Sequence, residues 1–363
     1  MAQETKEPTQ GGSAAEESAT SGLAGLGGGN GASGPSEWLA EHRTLVLWLV
    51  AVAIGLAVLQ ALPINLGRAL VGGISLGSVY AMVALGLALV YTSTRVLNFA
   101  QGEFGTTAAF AASALVVGAD FDRGEVGITT MLLAALVAVL AGALLGVLTN
   151  LLVIRRLGSA FTALVATAAL FTLMQTAQFL SFGFQRSFPR VQEGTAFAIF
   201  GVNIGWHDLV IVFVLAGVAV LLAMLFRTPL GVALLASAQE PYAASLYGVS
   251  PKVMSSLAWG TAGALAGIGG LLAGGIFRAI QPGFMTRDYL VPAFTAALLG
   301  GITSMPGAVV GALILGFVAT VGQQMVTAYG LDAVVPNAPV AASFIVLLVV
   351  LAVRPTGLLG KKG

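Results

Sequence analysis

The chain has 363 residues, 57% of them hydrophobic and 9% charged, whereas soluble proteins are roughly a quarter charged. With a mean hydropathy of +0.95, this is the composition of an integral membrane protein. A net charge of +1, with basic residues scattered instead of clustered, argues against a nucleic-acid partner. The absence of cysteine excludes disulfides, thiolate metal sites and a cysteine nucleophile. His42 and His207, the two histidines, lie far apart near opposite segment ends, so no metal site is expected. The 48 glycines suit a helical membrane bundle, where small residues let backbones approach, better than a barrel of alternating strands.

Residues 1–41 are rich in Gly, Ser, Ala and Glu and carry too little apolar surface to offset ordering entropy, so a disordered cytoplasmic tail is expected there. The tail has no basic start, apolar core and small-residue cleavage site, so removal as a secretory signal is not expected. A hydrocarbon core about 30 Å thick needs about 20 apolar residues per helix. That template places spans near 44–62, 68–91, 96–118, 128–153, 160–183, 207–226, 253–277, 290–304, 307–327 and 338–353. The expected architecture is an all-α bundle of about ten transmembrane helices over residues 42–353, followed by a cytoplasmic tail, 354–363. The eighth span is short and ends in Gly300, Gly301, Ser304 and Pro306, so the eighth and ninth spans could instead form a re-entrant hairpin, leaving eight.

Ten spans with both termini inside place nine Lys/Arg residues on the cytoplasmic side (Arg43, Arg95, Arg155, Arg156, Arg227, Lys252, Arg354, Lys361, Lys362) and six outside. That bias favours this orientation. Small residues recur along several helices: Gly73, Gly77 and Ala81; Gly142, Gly146 and Asn150; Gly260, Gly263, Gly267, Gly270 and Gly274; Ala308, Ala312 and Gly316. Tight helix packing is the expected use of these stripes.

The stretch Arg95 to Phe110, RVLNFAQGEFGTTAAF, holds Glu103, the one acid placed inside an apolar run and not at its edge. Asn98, Gln101 and Gly105 share one helical face, and Glu103, Thr106 and Thr107 another, so neither suits lipid. A span beginning near Val96 would put Glu103 about 10 Å below the membrane surface at 1.5 Å per residue. An acid at a helix centre costs roughly 2.5–3.5 kcal/mol on insertion scales, so the carboxylate calls for a partner, a proton or water. Two uses stay open: an inter-helix latch through Asn98, Gln101 and Glu103 on a helix broken at Gly102 and Gly105, or direct contact with a transported solute. Shifting by five spans pairs this segment with LLGGITSMPG, around Gly300 and Gly301, in opposite orientation, the pattern of an inverted repeat with two broken helices. Thr172, Gln175 and Thr176 on the fifth span form another polar face that could line the same route or simply pack.

The stretch Arg227 to Val253, RTPLGVALLASAQEPYAASLYGVSPKV, is too polar to span and falls on the expected cytoplasmic side. Pro241 suits the first turn of a short helix, Gly248 can end it in a left-handed conformation, and Ser250-Pro251 reads as an N-cap and N1 for the next span. A helix of about seven residues does not hold itself together in water, so PYAASLY must dock on its own bundle or on another subunit. Tyr242, Leu246 and Tyr247 are its apolar anchors, and Ala243 and Ala244 permit close approach. No phosphate-binding loop, G-x-S-x-G elbow or H-E-x-x-H pair is present, and GLLGKKG has the wrong spacing for the first of these. Hydrolysis of ATP by this chain alone is therefore excluded, and an enzyme reading has little support.

VYTSTRVLNFAQGEFG, from Val90 to Gly105, resembles the N-F-A-x-G-E signature of permeases from the branched-chain amino acid class of ABC importers. Arg227 to Val249 is similar to the cytoplasmic loop of that family, a divergent relative of the EAA motif, and LVPAFTAALLGGITSMPGAVVGALILG, from Leu290 to Gly316, is similar to its A-F-x-A-x-x-L-G-G-I-x-S-x-P-G-A block. In order, these cover most of the chain from Leu66 onward, and the chain looks like the first of two paired permeases. Gln101 departs from the pattern, standing where relatives often carry His, as does the long N-terminal tail. The resemblance implies a multi-pass protein of the bacterial cytoplasmic (inner) membrane that moves branched-chain or other hydrophobic amino acids, or a related small solute, by alternating access. It implies a second related permease subunit, two ABC ATPase subunits that use ATP and Mg, and an extracytoplasmic substrate-binding protein, with no cofactor held by this chain. Within that assembly, a coupling loop at residues 227–252 would insert Glu240, Tyr242, Ala243, Ala244, Leu246 and Gly248 into an ATPase groove. The alternative is a self-sufficient secondary transporter or channel.

Overall fold

The computed structural model describes residues 63–117, 126–199, 201–353 and 357. The first expected span, 44–62, and both tails, Gly357 apart, therefore lie outside the described residues. The described chain is mostly helical, with four short strands forming two hairpin-sized sheets. In order, its helices are α1 (Leu66–Thr94), α2 (Gln101–Val117), α3 (Ile128–Leu152), α4 (Ala160–Phe182), α5 (Trp206–Arg227), α6 (Pro229–Gln239), α7 (Pro241–Leu246), α8 (Pro251–Phe277), α9 (Val291–Gly300), α10 (Met305–Ala328) and α11 (Ala338–Val353). Strands β1 (Arg186–Ser187), β2 (Thr195–Ile199) and β3 (Val202–Gly205) precede α5, and β4 (Ala279–Ile280) follows α8. β1 pairs antiparallel with β4, and β2 with β3.

Six described helices are long and apolar enough to cross a membrane: α1, α3 with its 3₁₀ extension to Arg156, α4, α5, α8 and α10. At 1.5 Å per residue, α2 with 17 residues is about 25 Å long, α11 with 16 about 24 Å, and α9 with 10 about 15 Å. The eighth expected span is thus a half-length helix. A π-helical turn, Thr286–Leu290, leads into it, and Gly301, at φ +96°, ends it. α9 then folds directly onto α10, with Gly300 against the backbone of Gly307 and Gly311 against the Ala296 carbonyl.

The centre of the fold is α1, every residue of which from Gly77 to Val90 is buried, together with α8. Glycine brings their neighbours close. A Cβ at Gly77 would stand 2.8 Å from the Ala312 carbonyl oxygen, and one at Gly73 2.7 Å from Phe317 Cα, so α1 and α10 meet backbone to backbone. Gly142 and Gly146 of α3 press on the backbones of Gly263 and Trp259 of α8 in the same way. The small-residue stripes are therefore each other's partners, as tight packing requires. α8 divides its stripe: Gly263 and Gly267 face α3, Gly270 faces Gly105 of α2, and Gly274 faces Phe188 and Ile280. Around this centre, α3, α4, α5 and α11 expose Leu140, Leu180, Phe213 and Leu348, as the outer surface of a lipid-embedded bundle would.

Polar groups stitch the helix ends. Asp208, in the first turn of α5, accepts from Ser75 of α1 at 2.8 Å and from the Gly205 amide at 3.1 Å. The 3₁₀ turn after α3 sends Arg155 to Asn150, to Ser256 and to the carbonyl of Lys252, tying α3 to the start of α8.

Candidate functional site

α1 ends at Arg95, whose φ of +57° turns the chain out of the helix. The next helix does not resume at Val96, because the Asn98 side-chain oxygen accepts from the Ala100 amide at 3.0 Å and the Gln101 amide bonds the Asn98 carbonyl at 3.3 Å. Such local side-chain bonds compete with helix and hold residues 95–100 as a turn. The expected start of the third span and the depth built on it are corrected accordingly: α2 begins at Gln101, and Glu103 stands in its first turn, where the positive end of the helix favours a carboxylate. The expected break at Gly102 and Gly105 is corrected as well, since α2 runs unbroken through both.

Asn98, Gln101, Glu103 and Thr106 are all buried, with exposures of 0–1%. The two faces expected from their spacing meet different helices. Gln101 donates from Nε2 to the Ala262 carbonyl of α8 at 2.8 Å and accepts from Asn98 Nδ2 at 3.0 Å. Gly105 on the same face lets α8 approach at Ala266 and Gly270. On the other face, Gln178 of α4 donates from Nε2 to Glu103 Oε2 and to Thr107 Oγ1, both at 2.8 Å. Its Oε1 accepts from the Gly283 amide at 3.1 Å. Gln178 thereby joins α2, α4 and the segment before α9.

That segment is the entry to the second expected broken helix. A Cβ at Gly102 would lie 2.7 Å from Thr286 Cα, and Thr106 Oγ1 accepts from the Met285 amide at 3.3 Å. The first turn of α2 and the π-turn before α9, which lead into the two segments expected to pair as an inverted repeat, are thus in contact. Gly300 and Gly301 are at the far end of α9, about 15 Å along the helix from its start. The Thr286 hydroxyl is buried beside the Glu103 carboxylate, which also accepts from Gln178.

The α4 face divides. Thr172 and Thr176 are exposed and donate to carbonyls of their own helix, Ala168 at 3.3 Å and Thr172 at 2.9 Å, while Gln175 lies against Gly283. Gln178, which sequence reasoning missed, is the residue that reaches Glu103. Its spacing of three from Gln175 put it on the same face and was the available signal.

The cytoplasmic stretch also holds more helix than expected. Thr228 caps α6 by accepting from the Gly231 amide at 3.2 Å, with Pro229 at N1, a Thr-Pro start that could have been read from the sequence. α7 follows as expected, with Pro241 at N1, Gly248 at φ +80°, and Ser250 preceding Pro251 of α8. Tyr242, Leu246 and Tyr247 are 78%, 71% and 89% exposed, whereas Ala244 is buried at 7%. Ala243 and Ala244, with Glu240 and Tyr247, line an open groove of about 690 Å³ between α6 and α7. Among the described residues, no group of three His, Cys, Asp or Glu side chains is placed to hold a metal.

The sequence model of the family described as "Branched-chain amino acid transport system / permease component" matches residues 69–353. The high-affinity branched-chain amino acid transport system permease protein BraD of Pseudomonas aeruginosa is 31% identical over 80% of this chain and 95% of its own length. The corresponding LivH protein of Escherichia coli K12 is 29% identical over 80% and 94%. A probable LivH of Methanocaldococcus jannaschii is 28% identical over 80% and 91%. Among solved structures, PsaBC from Streptococcus pneumoniae in complex with Fab covers 84% of this chain and 97% of its own at 15% identity and a TM-score of 0.44, a likeness too distant to transfer function.

Proposed function

Since the chain belongs to the branched-chain amino acid transport permease family, we propose that it is a membrane-spanning subunit of an ABC importer that moves branched-chain or other hydrophobic amino acids by alternating access. It works with a second related permease, two ATPase subunits that bind ATP and Mg, and an extracytoplasmic binding protein that delivers substrate. The assembly resides in the bacterial cytoplasmic membrane, with about ten spans in this chain and both termini inside. The observation that carries the reading is the family match, which is continuous from α1 to α11.

The exposed apolar residues of α7 support the mode of coupling. Tyr242, Leu246 and Tyr247 are largely uncovered by their own bundle, and so short a helix gains its stability by docking. Nucleotide-driven closure of the ATPases moves α7, and α8, which begins five residues after α7 ends, carries the movement to Ala262 and hence to Gln101. Glu103 and Gln178 then act as a latch joining α4 to the start of α2 and to the segment before α9, opening as the gate changes state. Purification tests the whole reading. An intact complex that retains two ATPase chains and takes up leucine on ATP addition is the expected outcome. A lone, monodisperse chain that transports in liposomes without ATPases would overturn it.

A further inference from the structure

We propose that a small cleft between the end of α4 and the segment after β4 is a substrate station for a hydrophobic α-amino acid, placed so that its occupant acts on the Glu103 latch. This rests on the permease reading and assigns a site to it.

The cleft has a volume of about 320 Å³ and is lined by Gln175, Thr176, Phe179, Phe184, Gln281 and Pro282. Ligand pockets span roughly 300–1,000 Å³, so this one suits a single small solute and no peptide. Its construction follows from the chain. Gly183, at φ +79°, ends α4 and turns Phe184 back over Phe179, the two rings meeting edge to face at 4.7 Å. The pairing of Arg186 with Ile280 then brings Gln281 and Pro282 opposite.

The lining has two parts. Phe179, Phe184 and Pro282 make an apolar wall for a branched aliphatic side chain, and the amides of Gln175 and Gln281 supply both donors and acceptors without net charge. Neutral amides satisfy the carboxylate and the ammonium of a zwitterion together, whereas a charged site would select one of them. Because Arg287 can only donate, the Gln281 amide is assigned with its oxygen toward Arg287 Nη1, at 3.3 Å, which leaves the Gln281 N–H groups for a carboxylate. The Arg287 charge is itself balanced by Asp288 at 2.9 Å, so the station as a whole stays neutral.

The link to the latch is short, one peptide bond and then two hydrogen bonds. Pro282 lines the cleft, and the next residue, Gly283, donates its amide to Gln178 Oε1. Gln178 in turn holds Glu103. A side chain pressing on Pro282 therefore bears on the residue that joins α2, α4 and the entry to α9.

The absence of cysteine permits a direct test. Thr176→Cys, which puts a reporter thiol in the cleft wall, is introduced in the complete importer, and leucine uptake by the variant is measured alongside labelling. Labelling of this chain by a small thiol reagent is followed in proteoliposomes with and without leucine. The expected result is labelling slowed about tenfold by saturating leucine and unaffected by glutamate, with Ser181→Cys, on the same helix outside the cleft, unprotected. Adding Phe184→Ala shifts the leucine concentration for half-protection upward about tenfold, the effect of about 1.4 kcal/mol of lost apolar contact. The unvaried complex is assayed first for ATP-driven uptake of a panel of hydrophobic amino acids, and failure there defeats the permease reading itself. Uptake accompanied by unprotected or unlabelled Thr176→Cys, or by equal protection of Ser181→Cys, overturns the station alone.

Discussion

Replacing Gln178 by Leu removes three buried hydrogen bonds at once: to Glu103 Oε2 at 2.8 Å, to Thr107 Oγ1 at 2.8 Å and from the Gly283 amide at 3.1 Å. The bond to the carboxylate is worth about 1.5–3 kcal/mol, and the Gly283 amide left without a partner costs about 1–3 kcal/mol more. Without Gln178, the Glu103 carboxylate loses the donor that α4 supplies. The expected loss is roughly 3–5 kcal/mol of stability in the α2–α4 contact. α4 touches little else of the bundle, and most of its large apolar side chains face outward. Thermal unfolding of the purified complex in detergent, followed by intrinsic fluorescence, should show a clearly lower midpoint for Gln178→Leu. The double variant Gln178→Leu with Glu103→Leu should recover part of the loss, because removing both polar partners costs less than stranding one. A Gln178→Leu protein that melts with the unvaried one, or a double variant less stable than either single, would refute the latch.

The isosteric Glu103→Gln keeps an acceptor for Gln178, so it should leave melting within about 1 kcal/mol of the unvaried protein while lowering the uptake rate; normal uptake kinetics would reduce Glu103 to a structural role. On α7, Tyr247→Ala combined with Leu246→Ala should uncouple ATP hydrolysis from uptake, cutting coupled transport about tenfold or more without moving the melting midpoint, since both side chains are exposed. Ala244→Glu should both uncouple and destabilise locally, because Ala244 is buried; full coupling in either variant argues against docking by this helix. Gly77→Val should abolish recovery of monodisperse protein, since its Cβ alone would lie 2.8 Å from the Ala312 oxygen, whereas Gly217→Ala, with open space around it, should be recovered normally. Size-exclusion profiles decide between them, and normal recovery of Gly77→Val would mean that α1 and α10 can separate.

Signals that act within a few residues were legible before any fold was known. Runs of apolar residues located α1, α3, α4, α5, α8, α10 and α11 to within a few positions, because span length is a property of each segment against the bilayer. Pro241, Gly248 and Ser250-Pro251 marked the bounds of α7 and the start of α8, because backbone restriction and permissive φ belong to the residue itself. The tertiary structure decided which segments meet. Asn98 withdrew five residues from the expected third span by bonding the Ala100 amide, a choice between two local geometries that apolar periodicity does not register. Gln178 lies 75 residues from Glu103, and no spacing rule connects them. The glycine stripes announced close approach without naming a partner, since a missing Cβ says only that something comes near. The pairing of Gly73 and Gly77 with α10, and of Gly142 and Gly146 with α8, follows from packing the whole bundle. That same packing sets the first turn of α2 against the π-turn that leads into α9, with Gly102 on Thr286.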